Sequence, residues 1–411
     1  MKMRLLFSLF FVVISAAVSA QDDDGDLKVK IKGFADTYHA VRTESPNDWM
    51  SSRTRLRGEL SVSKNNSELF FSANAVYNSV IPEYSGFNIR ELYVSQQTGA
   101  FDIRAGRQII TWGVADALRI TDLVSPMDYS EFLAQDYDDI RIPENALRVK
   151  YSKSSFAFEA IAVPVIETFE LPFDRNNPWA VSVTGNDSVL SAAKPDFKIK
   201  NAEFGGRLSW FLSGVDFSVC ALRTFNKMPV FEMNYDSESH KVILSPKHKR
   251  MTMAGCDISL PLGKFVLRGE LAEYFGEAQQ PDIYNKVVCK NTTNALLGID
   301  IYPGNDWNVS LQYAHKYIGG YDHNSGISSY RSSGTATVRI SKDLFRNTLN
   351  VNTFAYIDVT NGGVYDRTTF DYSVNDMLHI ALGFDYFNAD KGMFKMYDKN
   401  SEIFAKVKMS F

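Results

Sequence analysis

The last eleven residues, SEIFAKVKMSF, narrow the choice of folds more than any other stretch. Ile403, Ala405, Val407, Met409 and Phe411 fall on one side of an extended chain. Glu402, Phe404, Lys406, Lys408 and Ser410 fall on the other. A period of two sets apolar and charged groups on opposite faces of a β-strand. The pattern recurs along the chain. In RTRLRGELSVS, Leu56, Leu60 and Val62 oppose Arg53, Arg55, Arg57 and Glu59. In ELFFSANAVY, Leu69, Phe71 and Tyr77 oppose Glu68, Ser72 and Asn74; in NAEFGGRLSWFL, Phe204, Leu208 and Trp210 oppose Glu203, Arg207 and Ser209. KFVLRGELAE, DWNVSLQYAHK and NTLNVNTFAYIDV repeat it. Each run is about ten residues, the length a tilted strand needs to cross a bilayer.

The connections decide between a soluble sandwich and a spanning sheet. Short turns at 64–68, 97–100, 152–155, 213–214, 261–264, 302–306, 341–347 and 375–376 alternate with longer segments. The longer ones lie near 43–52, 80–87, 112–145, 164–198, 225–248, 275–292, 318–329, 360–367 and 388–401. Tight turns on one side and long loops on the other mark a transmembrane antiparallel β-barrel of the bacterial outer membrane. Seventeen connections give eighteen strands, with sixteen as the alternative count. In hydrocarbon every N–H and C=O must be paired within the protein, so such a sheet has to close. Trp210, Trp307, Tyr313, Tyr372, Tyr386 and Phe411 stand near strand ends, as interfacial aromatic girdles require.

The N-terminus sets the compartment. Lys2 and Arg4 precede an apolar run from Leu5 to Ile14, and Val18-Ser19-Ala20 supplies small residues for cleavage. Residues 1–20 thus read as a secretory signal peptide and 21–411 as a single barrel domain. Without the two leader cations the balance is 42 basic against 48 acidic residues, which argues against a nucleic-acid partner. Cys220, Cys256 and Cys289 are too sparse for a disulfide framework and lack zinc-site spacing. The histidines show no HExxH spacing, and no GxSxG, P-loop or dinucleotide fingerprint is present. The reading is therefore not an enzyme, with no cofactor, no metal and no catalytic residue assigned.

What remains is the inner wall. Parity aims Arg53, Arg55, Arg57, Glu59, Glu91, Arg104, Gln108, Arg148, Lys150, Glu203, Arg207, Arg268 and Glu270 inward. These are the candidate pore-lining and selectivity residues, since opposed charges across a lumen orient and select polar solutes. The Arg53/Arg55/Arg57 run reads either as an anion-attracting ladder or as a set of wall salt bridges to Glu59, Glu91 and other acids. Segment 112–145 mixes apolar residues with carboxylates. It is expected to fold toward the pore as a constriction loop carrying Trp112, Asp128, Glu131, Asp136, Asp138 and Asp139; the alternative is an external loop over the rim. Strict parity would aim Arg107 at lipid, so either Gly106 carries a bulge or Arg107 lies near the outer rim.

The stretch ELYVSQQTGAFDIRAGRQIITWGVADALRITDLVSPMDYSE, with the return RIPENALRVKY, resembles an uncharacterised family of Gram-negative outer-membrane barrels related to alginate-export porins. Glu91, Tyr93, Gly106, Arg107, Gln108, Trp112, Gly113, Pro126 and Asp128 stand at the positions that carry the likeness. Ser125-Pro126 departs from the Asn-Pro more usual there. The resemblance implies a barrel with an internal constriction or a transport role, with polysaccharides or amphipathic solutes as the candidate cargo. The expected function is a porin-like channel for passive passage of polar solutes or oligosaccharides. The alternative is a barrel scaffold displaying a binding surface on loops 164–198 and 225–248. Expected partners are outer-membrane lipids, a small polar or saccharide solute, and the barrel assembly machinery, which would read the strand ending in Phe411.

Overall fold

The computed structural model describes residues 27–137, 139–174, 176–180, 188–189, 194–236, 241–280, 285–322 and 330–411. Residues 1–20, expected to be a leader, and Asp138 lie outside the described residues. The strands are β1 (Leu27–Arg42), β2 (Trp49–Lys64), β3 (Ser67–Asn78), β4 (Gly86–Thr98), β5 (Phe101–Gln108), β6 (Glu144–Lys153) and β7 (Phe156–Val165). They continue as β8 (Ser188–Val189), β9 (Glu203–Leu212), β10 (Val215–Phe225), β11 (Val230–Asp236), β12 (Lys241–Lys247), β13 (Arg250–Leu262) and β14 (Phe265–Gln279). The last are β15 (Val288–Gly304), β16 (Trp307–Ile318), β17 (Ser332–Leu344), β18 (Leu349–Asp358), β19 (Gly363–Ser373), β20 (Leu378–Asn388) and β21 (Glu402–Ser410).

Eighteen of these form one antiparallel sheet, and β1 closes it by pairing with both β2 and β21. The closing seam continues to the last residue, because Gly33 and Phe411 exchange both backbone hydrogen bonds, at 3.0 and 2.9 Å. No strand of the closed sheet is left with an open edge, as a hydrocarbon environment demands. The alternation seen in the sequence decides which face is which. Leu267, Leu297, Trp307, Leu382, Ile403 and Phe411 are exposed on the outside, while Asp36, Arg55, Glu159, Glu270 and Asp300 on the opposite parity are buried. An exposed apolar band around a closed barrel is the surface of an integral outer-membrane protein.

The eight tight connections fall where the sequence places them, with Gly214 (φ 83°) and Gly263 (φ 63°) supplying left-handed turn residues. Several long connections are shorter than expected: 43–52 and 275–292 shrink because β2 starts at Trp49, β14 runs to Gln279 and β15 starts at Val288. Segment 360–367 was expected to be a loop, yet the chain turns within 359–362 and β19 begins at Gly363. The Asp358 carboxylate accepts the Thr360 and Asn361 N–H groups, at 3.1 and 3.0 Å, and folds the turn back on itself. The polar residues Asp366, Arg367 and Thr368, which suggest a loop, are strand residues.

β8, β11 and β12 form a separate three-stranded sheet. It joins the β7–β9 connection to the β10–β13 connection, through a parallel pairing of β8 with β12. Inside the barrel lie two apolar clusters. One gathers Ile110, Trp112, Ile120 and Val124 with Val163, Leu222, Met253, Tyr274 and Leu296 of the wall. The other gathers Phe132 and Trp179 with Tyr38, Met50, Tyr356, Tyr365, Phe387, Phe394, Tyr397 and Phe404.

Candidate functional site

The segment between β5 and β6 contributes to both clusters, so its anchoring defines the site. Its first half is held by β14. The Glu270 carboxylate accepts hydrogen bonds from the Val114 and Ala115 N–H groups through Oε1, at 2.6 and 2.8 Å. Through Oε2 it accepts from the Thr121 N–H and hydroxyl, both at 2.9 Å. One buried side chain thereby satisfies three backbone donors of a turn that has no regular structure to satisfy them. Arg268 donates to the Val114 carbonyl while paired with Asp300 at 2.7 Å. Tyr274 donates to the Ile120 carbonyl at 2.6 Å. Trp112 is buried and donates from Nε1 to Glu159 at 2.8 Å, and Glu159 also pairs with Arg148 at 2.6 Å.

The second half is held by β2, β19 and β21, with Asp36 of β1 behind Arg55. Arg55 bridges Asp36 at 2.5 Å and Asp139 at 3.0 Å, and Arg57 reaches Asp139 at 2.8 Å and Asn74 at 2.8 Å. Arg53 reaches Glu131 at 3.4 Å and Gln135 at 3.1 Å. Tyr365 donates to the Leu133 carbonyl, and Lys406 pairs with Asp136 at 2.5 Å. The Phe132 ring stacks on Tyr397 at 3.9 Å. In the strand order β2 and β14 are nine strands apart in either direction. The segment is therefore tied to diametrically opposite walls.

Every predicted wall residue lies on the inner parity, but most are covered by protein. Gln108 and Glu203 are fully buried; Gln108 donates to the Ala146 carbonyl, and Glu203 pairs with Lys227 at 3.0 Å. Glu91 accepts the Ile109 N–H at 2.9 Å. Arg104 lies over the Tyr93 ring at 4.3 Å, and Arg207 pairs with Asp257 at 2.9 Å. Glu59 stands opposite Lys32, and Lys150 opposite Glu159. The arginine run takes its acidic partners from Asp36 and the segment, not from Glu59 or Glu91. Arg107 settles the question at Gly106: β4 and β5 stay in register from Thr98↔Phe101 to Leu92↔Arg107, with no bulge. Arg107 sits at the strand end, paired with Glu167 at 3.1 Å.

Two cavities adjoin the segment. One of about 340 Å³ is lined by Arg53, Arg55, Arg57 and Tyr84 together with Asp128, Glu131, Asp139 and Glu170. The other, about 310 Å³, is lined by Asp136, Arg367, Asp371, His379, Lys406 and Lys408. The loop carboxylates divide by neighbour. Burial alone would raise Asp139, but Arg55 and Arg57 outweigh it and hold the carboxyl below its ordinary range. Burial followed by the Asp128 charge pushes Glu170 up to about 7, and burial raises Asp128 as well. These two face each other across a parallel bridge in which the Tyr129 N–H donates to the Glu170 carbonyl.

Sequence reasoning missed Glu170, Lys227 and the aromatic residues of the second cluster. Lys227 is buried and pairs with Glu144 at 2.5 Å, joining the segment's exit to the β10–β13 connection. Its position in an irregular loop carries no parity signal. Among the described residues no group of three or more His, Cys, Asp or Glu side chains is placed to hold a metal ion.

With this geometry, comparison with known proteins becomes informative. The family described as "Protein of unknown function (DUF1302)" matches over residues 12–392. The chain belongs to that family. A search of curated proteins finds no match. Among solved structures, a BenF-like porin from Pseudomonas fluorescens Pf-5 superposes with a TM-score of 0.53 at 8% identity, over 94% of this chain and 98% of that one. OccAB3 of Acinetobacter baumannii gives 0.52 at 11% identity, over 93% and 99%. OccD3 (OpdP) of Pseudomonas aeruginosa gives 0.52 at 9%, over 94% and 91%. At such identities the likeness is one of fold: this DUF1302 chain shares the porin barrel.

Proposed function

We propose that the protein is a porin-like outer-membrane channel for passive passage of polar solutes, with segment 112–145 as its constriction. The observation that carries this reading is the segment's attachment to opposite walls beside a cavity of about 340 Å³ lined by both arginines and carboxylates. A barrel interior without a plug is water-filled. Charges of both signs in a narrow passage sort solutes by charge and dipole. Arg53, Arg55 and Arg57 are the proposed selectivity residues, and Arg57 retains an Nη2 without a hydrogen-bond partner. The saccharide part of the proposal rests on the resemblance to alginate-export porins. Residues 1–20 are proposed as a cleaved leader, and the Phe411 end as the signal read by the assembly machinery.

Single-channel recording of the refolded barrel tests the reading. Conductance is expected, rising when 114–143 is deleted, and ion selectivity should move when Arg53, Arg55 and Arg57 become Gln. Electrical silence of both the full and the deleted barrel would sink it. A second reading, the barrel as scaffold for an external binding surface, is favoured by one feature: β8, β11 and β12 knit two long loops into a small sheet. Silence combined with ligand capture that requires residues 230–247 would favour that reading instead.

A further inference from the structure

Strand parity leaves few cations on the lipid side. Among the described residues of the extracellular half of the barrel strands, these are Arg107, Arg223 and Arg250. The inner-face neighbours fix the last two: Leu222, Met251 and Met253 belong to an apolar cluster inside the barrel, so Arg223 and Arg250 point outward. Arg107 is matched by Glu167 at 3.1 Å. Arg223 and Arg250 have no acidic partner among the described residues. They are diagonal neighbours, because Arg223 lies opposite Thr252, two residues along β13 from Arg250. Like charges so placed on one face repel unless an anion comes between them.

Their height says what meets them. Arg223 lies eight residues along β10 from Val215, where the strand leaves its tight turn. A strand tilted ~40° gains about 2.5 Å of height per residue, so Arg223 stands roughly 20 Å above that turn. Arg250, opposite Phe225, stands roughly 25 Å above it, at the top of an apolar band about 25 Å tall. Both guanidiniums are therefore level with the head groups of the outer leaflet.

A second observation comes from the chain entering β9. Arg250 donates to the Ala202 carbonyl at 3.1 Å and to the Lys200 carbonyl, seating the short 3-10 helix Ile199–Asn201 over the lipid side of the strand ends. There Phe197 is 74% and Ile199 89% exposed, a placement that water penalises and acyl chains do not. Below them Phe204 and Phe275, also exposed, share the register row Phe204↔Arg223↔Thr252↔Phe275. The Lys200 ammonium has no hydrogen bond or ion pair among the described residues. Of the nearby acids, Asp196 is paired with Lys198 at 2.8 Å. Glu203 takes the inner parity, where Lys227 holds it at 3.0 Å.

We propose that this rim is a binding site for a phosphorylated glycolipid of the outer leaflet. Arg223, Arg250 and Lys200 take a phosphoryl group of its head, and Phe197 and Ile199 lie among its acyl chains. A soluble anion would match the cations alone; the bare aromatic and aliphatic residues at the same level select a lipid. The site needs the outer-membrane placement only and is independent of passage through the lumen.

Native mass measurement of the full chain in mild detergent, titrated with diphosphoryl lipid A, should show a retained lipid. Arg223→Gln with Lys200→Gln should weaken retention about tenfold or more, the loss of charge-assisted bonds to phosphate. Neither side chain has an internal partner, so the barrel should fold, which heat-modifiable gel mobility reports. Phe197→Ser with Ile199→Ser should weaken retention of the full lipid and leave binding of its deacylated head group unchanged. Lys342→Gln, an outward cation at the periplasmic end, should change neither. Equal retention of a lipid A stripped of its phosphates, or retention indifferent to either pair of substitutions, would overturn the proposal. So would a deacylated head group that binds as tightly as the full lipid.

Discussion

Glu270→Ala should release the first half of segment 112–145 while leaving the barrel folded. Glu270 is 5% exposed and accepts four hydrogen bonds from residues 114–121. Hydrogen bonds to a charged acceptor contribute about 1.5–3 kcal/mol each, and a buried amide left without an acceptor costs about 1–3 kcal/mol. Partial rescue by water would still leave a loss of about 4 kcal/mol, roughly a thousandfold in the docking equilibrium. Burial of Ile120 and Val124, at about 2 kcal/mol per side chain, opposes release by a similar amount, so the variant is expected to open more often and not to stay undocked. Limited trypsin digestion reads the outcome, because Arg119 has only a tenth of its side chain exposed in the docked segment. The expected result is cleavage at Arg119 and a larger, noisier single-channel conductance. Glu270→Gln should be intermediate, since its amide oxygen still serves one pair of donors and its NH2 opposes the other. An Arg119 that stays uncut in a folded E270A barrel, with unchanged conductance, would refute the reasoning.

Replacing Asp139 by Asn leaves Arg55 and Arg57 with one fewer counter-charge, and reversal-potential measurements should shift toward anions. The raised Glu170 binds its proton more tightly when the bridge to Asp128 is formed than when it is open, so docking is favoured below the ordinary carboxylate range of ~4.3. That contribution is lost as pH rises through about 7; hydrogen exchange at Tyr129 should quicken between pH 5 and 8, and Glu170→Gln should flatten the dependence. Phe132→Ala removes a buried ring that stacks on Tyr397 and should cost about 3–5 kcal/mol of segment docking, measured by protease protection of residues 129–137.

How much of this was legible beforehand follows from what the surroundings enforce. Hydrocarbon imposes parity on Ile403 to Phe411 and on Leu56 to Val62, so the strands and their inward faces could be read from alternation, and the strand count from the short and long connections. The 359–362 turn was misjudged because Asp366 and Thr368 place polar side chains on the outer face, where parity predicts apolar ones. Partners inside the barrel obey no such rule. Thr121 and Glu270 are 149 residues apart in sequence, and Arg57 and Asp139 are 82 apart. Nothing local in either stretch encodes the meeting. The aromatic cluster around Phe132 escaped for the same reason: Trp179 comes from an irregular loop and Phe394 and Tyr397 from a short 3-10 helix, where period-two reasoning is silent.

A sheet of eighteen strands closed on itself is easily flattened, because bending it needs only small changes in twist at each pair. The segment fastened at Glu270 on one side and at Arg53, Arg55 and Arg57 on the other works like a spoke across a rim. In the channel proposed above it would resist ovalisation along that diameter, setting the cross-section of the barrel and the bore beside the spoke together. Lateral pressure in the membrane would then reach the passage mechanically, through two groups of ion pairs and hydrogen bonds half a turn apart.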